Sequence, residues 1–372
     1  MEGDNGNRRE RVDNSSTERP PVWRQTPVPS PHQGRYLCFR AGHDDAKTTN
    51  LYSIPIDDCA DDFSYYPTGG GGGEVVGLKP FNRSTLSKAA TFAGVGTSLF
   101  CIGGLEAPNG EAYKNPTSNL YQFDSTDAEG GWHTLKMLSS RVLPISIAMD
   151  GKLYIFNGCA DEDPSRPWAE VFDPSWDSSP SFPLPPPVGC LRRCSEFVYA
   201  ALHSSKRILV ASTTFNVAYV YHVVDGDWKQ LDHNIDFTGH VVRDQAAVVR
   251  NTTLCWYQET VHQLQAYDLD LKRWFNYPVK GLEKVGVLSP SYIPTYFSLF
   301  PMDDNHLCLL WMDHSGYACT PYRYGLLHCT KIRVSIKVGT QGEHEFDAFV
   351  VSSTSYVLEE GVALLGNDAC VL

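Results

Sequence analysis

The 372-residue chain lacks several features that would assign it to a functional class. No apolar run approaches the roughly 18 to 20 residues that span a membrane. Residues 1–21 contain no apolar segment of the kind that forms a secretory signal. Basic residues are fewer than acidic ones, 31 against 43, and the net charge of -12 disfavours nucleic acid and anionic membranes as partners. We expect a cytoplasmic or nuclear protein that binds neither.

Signatures of catalysis and of cofactor binding are also missing. The sequence has no G-x-S-x-G, no H-E-x-x-H, no phosphate-binding loop and no dinucleotide-binding glycine motif. Cys190 and Cys194 have no second ligand pair at metal-binding spacing, and the run Gly69–Gly73 lacks the lysine of a phosphate cradle. The eleven cysteines are scattered, as expected of free thiols in a reducing compartment. We predict no catalytic residue, no metal and no cofactor.

What the sequence does contain is a repeat. From residue 34 onward, short apolar runs alternate with clusters of Gly, Pro, Asn, Asp and Ser, which is typical of many short strands. Runs related to LFCIGG at 99–104 recur at 36–42, 153–158, 208–213, 254–259 and 307–312. A second run follows each of them, and a tryptophan follows in four copies: Trp132, Trp176, Trp228 and Trp274.

A period of about 50 residues predicts small twisted sheets that stack around an axis, because one such sheet cannot bury both of its faces alone. Gly103 and Gly104 should permit a tight turn and a close approach between sheets. The tryptophans should fill the outward-widening wedge between neighbouring sheets. The sequence therefore predicts an all-β, six-bladed β-propeller over residues 34–372, preceded by a disordered N-terminal tail at residues 1–33.

The predicted blades lie at about 34–67, 86–138, 142–184, 195–232, 243–279 and 297–358. The first of these segments lacks an innermost strand. A propeller usually closes by borrowing a strand across the chain ends, since an open ring leaves unpaired edges. The candidates are FDAFVV at 346–351, SYVLEEGVALL at 355–365 and, less readily because of its prolines, Val22–Val28.

The chain resembles the kelch-repeat family. Gly103, Gly104, Tyr121 and Trp132 carry the resemblance in one copy, and the segment 151–158 carries it in the next. The layout is similar to the propeller half of plant F-box/kelch proteins, although no F-box is seen. The resemblance implies a non-enzymatic protein-interaction module that binds a partner protein or peptide. It also implies substrate recognition for ubiquitination as one use, with ubiquitin-ligase components or their substrates as partners.

A cationic residue recurs between the outer strand of one predicted blade and the innermost strand of the next. Lys88, Arg141, Arg193 and Arg243 follow one another at intervals of 53, 52 and 50 residues. Such positions lie on a circle near one mouth of the channel, where guanidinium groups could bind carboxylates of a partner. The alternative interpretation is structural, with each cation bonding backbone carbonyls of the neighbouring blade.

Long connections between second and third strands should emerge on that same face. They are predicted at Glu106–Ser118, Ala160–Trp168 and Asp313–Tyr324, and such loops commonly bind partners. Residue types favoured as interface anchors within them are Tyr113, Arg166, Trp168, Tyr322 and Arg323. The alternative function is a metal-dependent or other enzyme, or a specifier protein, that uses the central channel.

Overall fold

The computed structural model describes residues 22–29, 35–42, 48–56, 76–106, 114–127, 131–159, 165–176, 181–186, 191, 196–232, 235–237, 244–258, 263–282, 296–313, 326–338, 344–359 and 363–372. Strands dominate these ranges, and a 3₁₀ turn lies at His203–Ser205. None of the helices in the described ranges is long and apolar enough to cross a membrane. The all-β prediction is confirmed.

The strands are numbered in chain order. The first ten are β1 (Val22–Gln25), β2 (Tyr36–Gly42), β3 (Thr49–Pro55), β4 (Val76–Lys79), β5 (Asn82–Ser84), β6 (Thr91–Val95), β7 (Ser98–Ile102), β8 (Leu105–Glu106), β9 (Asn115–Asp124) and β10 (Trp132–Arg141). The next nine are β11 (Ile145–Met149), β12 (Lys152–Phe156), β13 (Ala169–Phe172), β14 (Ser181–Pro183), β15 (Phe197–Leu202), β16 (Arg207–Ser212), β17 (Val217–His222), β18 (Asp227–Gln230) and β19 (Asp244–Gln245). The last nine are β20 (Ala247–Val249), β21 (Thr253–Gln258), β22 (Gln263–Asp268), β23 (Arg273–Pro278), β24 (Tyr296–Pro301), β25 (His306–Asp313), β26 (Leu326–Val338), β27 (His344–Leu358) and β28 (Ala363–Val371).

Within the described residues, five blades are each built from one segment of the chain. From the innermost strand outward they are blade 1 (β6, β7, β9, β10), blade 2 (β11 to β14), blade 3 (β15 to β18), blade 4 (β20 to β23) and blade 5 (β24 to β27). Neighbouring strands within each blade pair antiparallel. The recurring apolar runs of these blades form the second strands, and the runs that follow them form the third strands. The β-propeller prediction is confirmed for this part of the chain.

A further sheet combines both ends of the chain, in the order β28, β2, β3 and β5. The prediction of six blades, each from its own segment, is therefore corrected: the structure has five such blades and this composite sheet. The segment 34–67 cannot form a blade alone, because β2 would keep an unpaired inner edge without β28. None of the three predicted closing segments is right as drawn. Val22–Val28 contains β1, which lies at the outer edge of the blade 5 sheet. FDAFVV lies in the outer strand β27, and SYVLEEGVALL reaches β28 with its last three residues alone.

The segment 22–29 belongs to the fold, which corrects the predicted extent of the N-terminal tail. β4 pairs in parallel with β27 at the outer edge of blade 5, and β1 pairs in parallel with β4. The ring of Trp23 covers Gly77, where a Cβ atom would collide with it. The backbone N–H of Thr26 then donates to the carbonyl of Lys79 at 3.0 Å. Residues 1–21 and 30–34 lie outside the described residues.

The innermost strands close into a ring. β6 lies beside β11, β11 beside β15, β15 beside β20, β20 beside β24, β24 beside β28, and β28 beside β6. The composite sheet thus occupies the position between blade 5 and blade 1. Apolar side chains from adjacent sheets fill the spaces between them, as in the cluster of Ile147, Phe156, Tyr199 and Val210 between blades 2 and 3.

Three of the four repeated tryptophans have the predicted packing role. Trp132, Trp228 and Trp274 lie at the start of outer strands and donate through Nε1 to Asn82 Oδ1 at 3.2 Å, Pro185 O at 2.9 Å and Asp236 O at 2.7 Å. Each acceptor belongs to the preceding sheet or to the segment that follows that sheet. Each of these tryptophans therefore links its own blade to the preceding sheet. The prediction is wrong for Trp176, which is 55% exposed and lies in the turn before β14.

Candidate functional site

At blades 1 and 2, one end of the propeller brings together the segment before the innermost strand and the connection after the second strand. We call this end the loop face. Lys88 pairs with Leu105, and one blade later Arg141 pairs with Cys159, each as an isolated antiparallel bridge. The equivalence of Lys88 and Arg141 predicted from their spacing is therefore confirmed. The opposite end, where the turns between first and second strands lie, is called the hairpin face.

Two glycine residues allow the inter-blade segments to approach the connection after the second strand of blade 1. Gly103 and Gly104, directly after β7, have φ values of +64° and +96°. A Cβ atom on Gly103 would lie 2.5 Å from the Arg141 carbonyl oxygen, and one on Gly104 would collide with the Lys88 carbonyl. The Gly104 N–H donates to the Arg141 carbonyl at 2.7 Å. The predicted close approach at the double glycine is confirmed, and it makes the loop face a hydrogen-bonded platform.

Arg141 is fully buried at the junction between blades 1 and 2. Its Nε donates to Glu170 Oε1 at 2.9 Å, and Nη2 lies 2.9 Å from the same oxygen. Nη1 donates to the carbonyls of Asn157 at 2.5 Å and Trp168 at 3.0 Å, and Nη2 also donates to Pro167 O at 2.8 Å. A guanidinium has five N–H donors, and these contacts use all of them. Arg141 therefore binds the neighbouring blade, as the structural alternative expects, and offers nothing to an external ligand.

Glu170, which the sequence analysis overlooked, completes this junction. Its side chain is fully buried on β13, and Oε2 accepts from the backbone N–H of Leu138 and the Ser181 hydroxyl, each at 2.7 Å. A buried ion pair is tolerated when its remaining polar atoms are satisfied in this way. The signal in the sequence was a lone acidic residue inside an otherwise apolar strand run, AEVF.

The other predicted site residues have different environments. Lys88 is half-buried, and Arg166 is exposed and donates through Nη1 to the Leu138 carbonyl at 2.8 Å. Trp168 is 6% exposed and packs against Phe156 and Trp228, so it is a core residue and the prediction of an interface anchor is wrong for it. The remaining five predicted residues lie outside the described residues: Tyr113, Arg193, Arg243, Tyr322 and Arg323.

A polar cluster replaces the buried ion pair in the equivalent part of blade 1. The Tyr121 hydroxyl donates to Glu106 Oε1 at 2.7 Å, and the Asn119 amide donates to the same oxygen. Burial and the Glu106 carboxylate raise the pKa of Tyr121. The predicted loop Glu106–Ser118 is shorter than expected, because β8 and the start of β9 pair with each other. The tyrosine stays protonated at neutral pH and acts as a hydrogen-bond donor.

The central channel holds a cavity of about 460 Å³ that reaches the hairpin face. Its apolar wall includes Phe92, Ile147 and Phe300. Five of its polar or charged residues lie at or beside the hairpin-face turns, and Ser146 and Gln245 lie further along the channel; the five are Arg35, His203, Asn251, Asp303 and Asp304. Across the described residues, no three His, Cys, Asp or Glu side chains are grouped as metal ligands.

Comparisons with known proteins agree with the repeat. A family model described as protein of unknown function, DUF1668, matches residues 85–315. An F-box/kelch-repeat protein of Arabidopsis thaliana is 25% identical over 229 residues, covering 58% of this chain and 56% of that protein. A second such protein from the same plant is 27% identical over 216 residues, covering 57% of this chain and 50% of its own length. The chain thus spans about half the length of these relatives, and the similarity to F-box/kelch proteins is confirmed over the propeller.

Solved structures give weaker likenesses. The structure of YjhT has a TM-score of 0.42 at 9% identity, covering 83% of this chain and 97% of that one. Hsv2 of Kluyveromyces lactis has a TM-score of 0.40 at 8% identity, covering 87% and 84% of the two chains. Neither likeness bears on function.

Proposed function

Since this chain belongs to the DUF1668 family of proteins of unknown function, whose model matches residues 85–315, we propose that it is a non-enzymatic protein-interaction module. It binds a partner protein through the loop face. The observation that carries the proposal is the loop face at blades 1 and 2, where the segments before the innermost strands are hydrogen-bonded to the connections after the second strands, as in Lys88 with Leu105 and Val142 with Gly158. Rigid scaffolds that present variable loops are common protein-binding surfaces.

We further propose that the partner is a substrate for ubiquitination or a component of a ubiquitin ligase. The support is the similarity of the chain to F-box/kelch-repeat proteins of Arabidopsis thaliana. The matched part of those relatives is about half of their length. Contact with the ligase would therefore depend on another segment or another chain.

Quantitative affinity purification from plant tissue tests the choice of face. Arg166→Glu changes an exposed cation on the loop face, and Arg250→Glu is the matched change in a turn on the hairpin face. We expect Arg166→Glu to reduce recovery of a specific partner about tenfold, while Arg250→Glu leaves it unchanged. Equal recovery with both variants, or an equal loss, would exclude the loop face as the binding surface. Co-purified ligase subunits would support the ubiquitination role, and their absence from a specific complex would contradict it.

A second candidate function uses the central channel, as a metal-dependent or other enzyme or specifier. The cavity of about 460 Å³ favours it, because that volume suits a small molecule and combines apolar walls with a few polar groups. Elemental analysis of the purified chain and a turnover screen test this candidate. Stoichiometric metal lost on His203→Ala would support it, and a metal-free, inactive chain that retains its partner would exclude it.

We propose a cytoplasmic or nuclear location. The seven free cysteines of the described residues support it, because thiols persist in reducing compartments. Fluorescence microscopy of the tagged full chain tests this location, and accumulation in the secretory pathway would contradict it.

A further inference from the structure

Two cysteines occupy directly opposite positions in the strand pair that closes the ring. Cys38 on β2 pairs with Cys370 on β28, and both side chains are buried in one apolar cluster between the composite sheet and blade 1. Neither thiol is part of a disulfide. Among the cysteines of the described residues, no other two face each other across a strand pair.

The backbone geometry at this pair suits a disulfide. Tyr36 and Leu372 exchange both of their N–H···O bonds, at 2.9 and 2.8 Å. Hydrogen-bonded pairs recur at every second residue of an antiparallel ladder, so Cys38 and Cys370 form one, with Cα atoms about 5.5 Å apart. Disulfides join Cα atoms roughly 4.4 to 6.8 Å apart, and directly opposite side chains lie on the same face of a sheet.

Cys308 and Cys329 provide a comparison within the same protein. Their sulfur atoms lie 3.1 Å apart in the core between blade 5 and the composite sheet. In the register of β25 and β26, however, Cys308 faces Lys331 and Cys329 faces Leu310, so the two cysteines are diagonal neighbours. Diagonal neighbours have Cα atoms about 7 to 8 Å apart, which exceeds the span of a disulfide. These thiols contact each other without being positioned for a covalent bond.

The channel cavity gives a small oxidant a route to one member of the ring-closing pair. Cys370 lines this cavity, which reaches the hairpin face, whereas Cys308 and Cys329 do not line it. Burial raises the pKa of Cys370 to about 12, and burial together with Cys370 also raises the pKa of Cys38. The thiolate is the form that attacks an oxidant. The pair therefore stays reduced until the oxidant is abundant.

We propose that Cys38 and Cys370 are a redox modification site, at which hydrogen peroxide converts the two thiols into a disulfide that fastens β28 to β2. The Cys370 sulfur attacks one peroxide oxygen and the O–O bond breaks. Cys370 becomes a sulfenic acid, and the departing hydroxide takes the thiol proton to form water. The Cys38 sulfur then attacks the Cys370 sulfur, the S–O bond breaks, and a second water leaves. Two thiols are oxidised, and one peroxide is reduced to two waters.

The disulfide would close the ring covalently. It joins residues more than 300 positions apart, and a link across so long a segment strongly restricts the unfolded chain. Reduction would return the closing strand to hydrogen bonds and packing alone. In a reducing compartment such disulfides are typically transient and redox-sensing. The inference concerns closure of the ring and does not depend on the partner proposed for the loop face.

Peptide mapping of the peroxide-treated full chain tests the link. Trypsin releases Cys38 in residues 36–40 and Cys370 in residues 338–372, and each peptide contains one cysteine. After treatment at pH 7.5 and alkylation of the remaining thiols, we expect these two peptides to be cross-linked. The cross-link should be at least about tenfold more abundant than one between Cys308 and Cys329, and dithiothreitol should remove it. Fully reduced thiols, sulfinic acid at Cys370 without the cross-link, or equal yields from both pairs would each overturn the proposal.

Thermal melting tests the effect on closure. We expect peroxide to raise the midpoint of the wild-type chain by about 5 °C, and dithiothreitol to reverse the rise. Each variant is compared with its own reduced form. Cys370→Ala should lose both the cross-link and the rise, whereas Cys308→Ala, which keeps the ring-closing pair, should retain both. An equal rise in Cys370→Ala, or an unchanged midpoint in the cross-linked wild-type chain, would show that this disulfide does not fasten the ring.

Discussion

Two junctions between neighbouring sheets are stabilised in different ways. At the junction of blades 1 and 2, one buried side chain, Arg141, joins the sheets through Glu170 and three backbone carbonyls. At the junction of blade 5 with the composite sheet, whole strands do the joining. β28 supplies the inner strand of the composite sheet. β4 and β1, which belong to the N-terminal part of the chain, extend the sheet of blade 5.

Side chains at this closing junction add comparatively exposed contacts. The Arg83 and Glu359 side chains form an ion pair at 2.9 Å and are 49% and 28% exposed. The Tyr52 hydroxyl donates to the Glu359 carbonyl at 3.2 Å. Backbone pairing thus replaces a buried ion pair where the ring joins distant parts of the sequence.

Removing β28 should have the largest effect. A chain that ends at residue 362 leaves the inner edge of β2 unpaired and opens the ring between blades 5 and 1. We expect loss of cooperative unfolding and a large fall in soluble yield, measured by circular dichroism melting and size-exclusion chromatography. A chain that begins at Val22 keeps every contact described above and is the control. Cooperative melting near the wild-type midpoint in the shortened chain would show that closure does not depend on β28.

Breaking the buried pair should have the second-largest effect. Arg141→Met leaves the Glu170 carboxylate buried without its partner, and we expect a loss of about 3–5 kcal/mol in the free energy of unfolding. Combining it with Glu170→Gln should recover much of that loss, because the uncompensated charge is removed. Urea denaturation of the single and double variants gives these values.

The matched control is the exposed pair at the closing junction. Arg83→Met should cost less than about 1 kcal/mol, as exposed ion pairs usually do. A similar loss for Arg83→Met and Arg141→Met would contradict the claim that the two junctions differ.

Lowering the pH should weaken blade 5 through one buried histidine, His328. His328 is buried on β26, stacks on Trp311 with ring centroids 3.8 Å apart, and its Nδ1 lies 2.7 Å from Ser355 Oγ. Burial lowers the pKa of His328 from 6.5 to about 3. The unfolded chain therefore binds a proton at this site below pH 6.5 while the folded chain does not, so stability falls as the pH decreases from 6.5 towards 3. At pH 5 the loss is about 2 kcal/mol.

His328→Gln should flatten this dependence, because glutamine does not titrate. The measurement is the urea midpoint at pH 7.5 and at pH 5 for the wild-type chain and the variant. Identical pH dependence in both proteins would exclude His328 as the source.

Local patterns in the sequence were sufficient to predict most of the strands. The run at 153–158 and its relatives predicted the second strands because hydrophobic alternation and turn residues act over a few residues. The pairing of β2 with β28 was not predictable in register, since it depends on partners more than 300 residues apart, such as Leu37 and Val371. The parallel pairing of β4 with β27 also joins distant parts of the chain, as at Val76 and Tyr356.

The candidate site was less predictable than the fold. Spacing placed Lys88 and Arg141 in equivalent positions, but it could not decide between a ligand role and a structural one for Arg141. That choice depends on Glu170, which reaches Arg141 through the pairing of a different blade.

The composite sheet also determines when each part of the newly synthesised chain can fold. Blades 1 to 5 each contain their own strands and can form as they leave the ribosome. β2 and β3, although synthesised before them, must wait for residues 363–371 to emerge. A nascent chain arrested before that point exposes the inner edge of β2 to chaperones and proteases. Pairing of β2 with β28 is therefore the step that covers this edge and closes the ring of innermost strands.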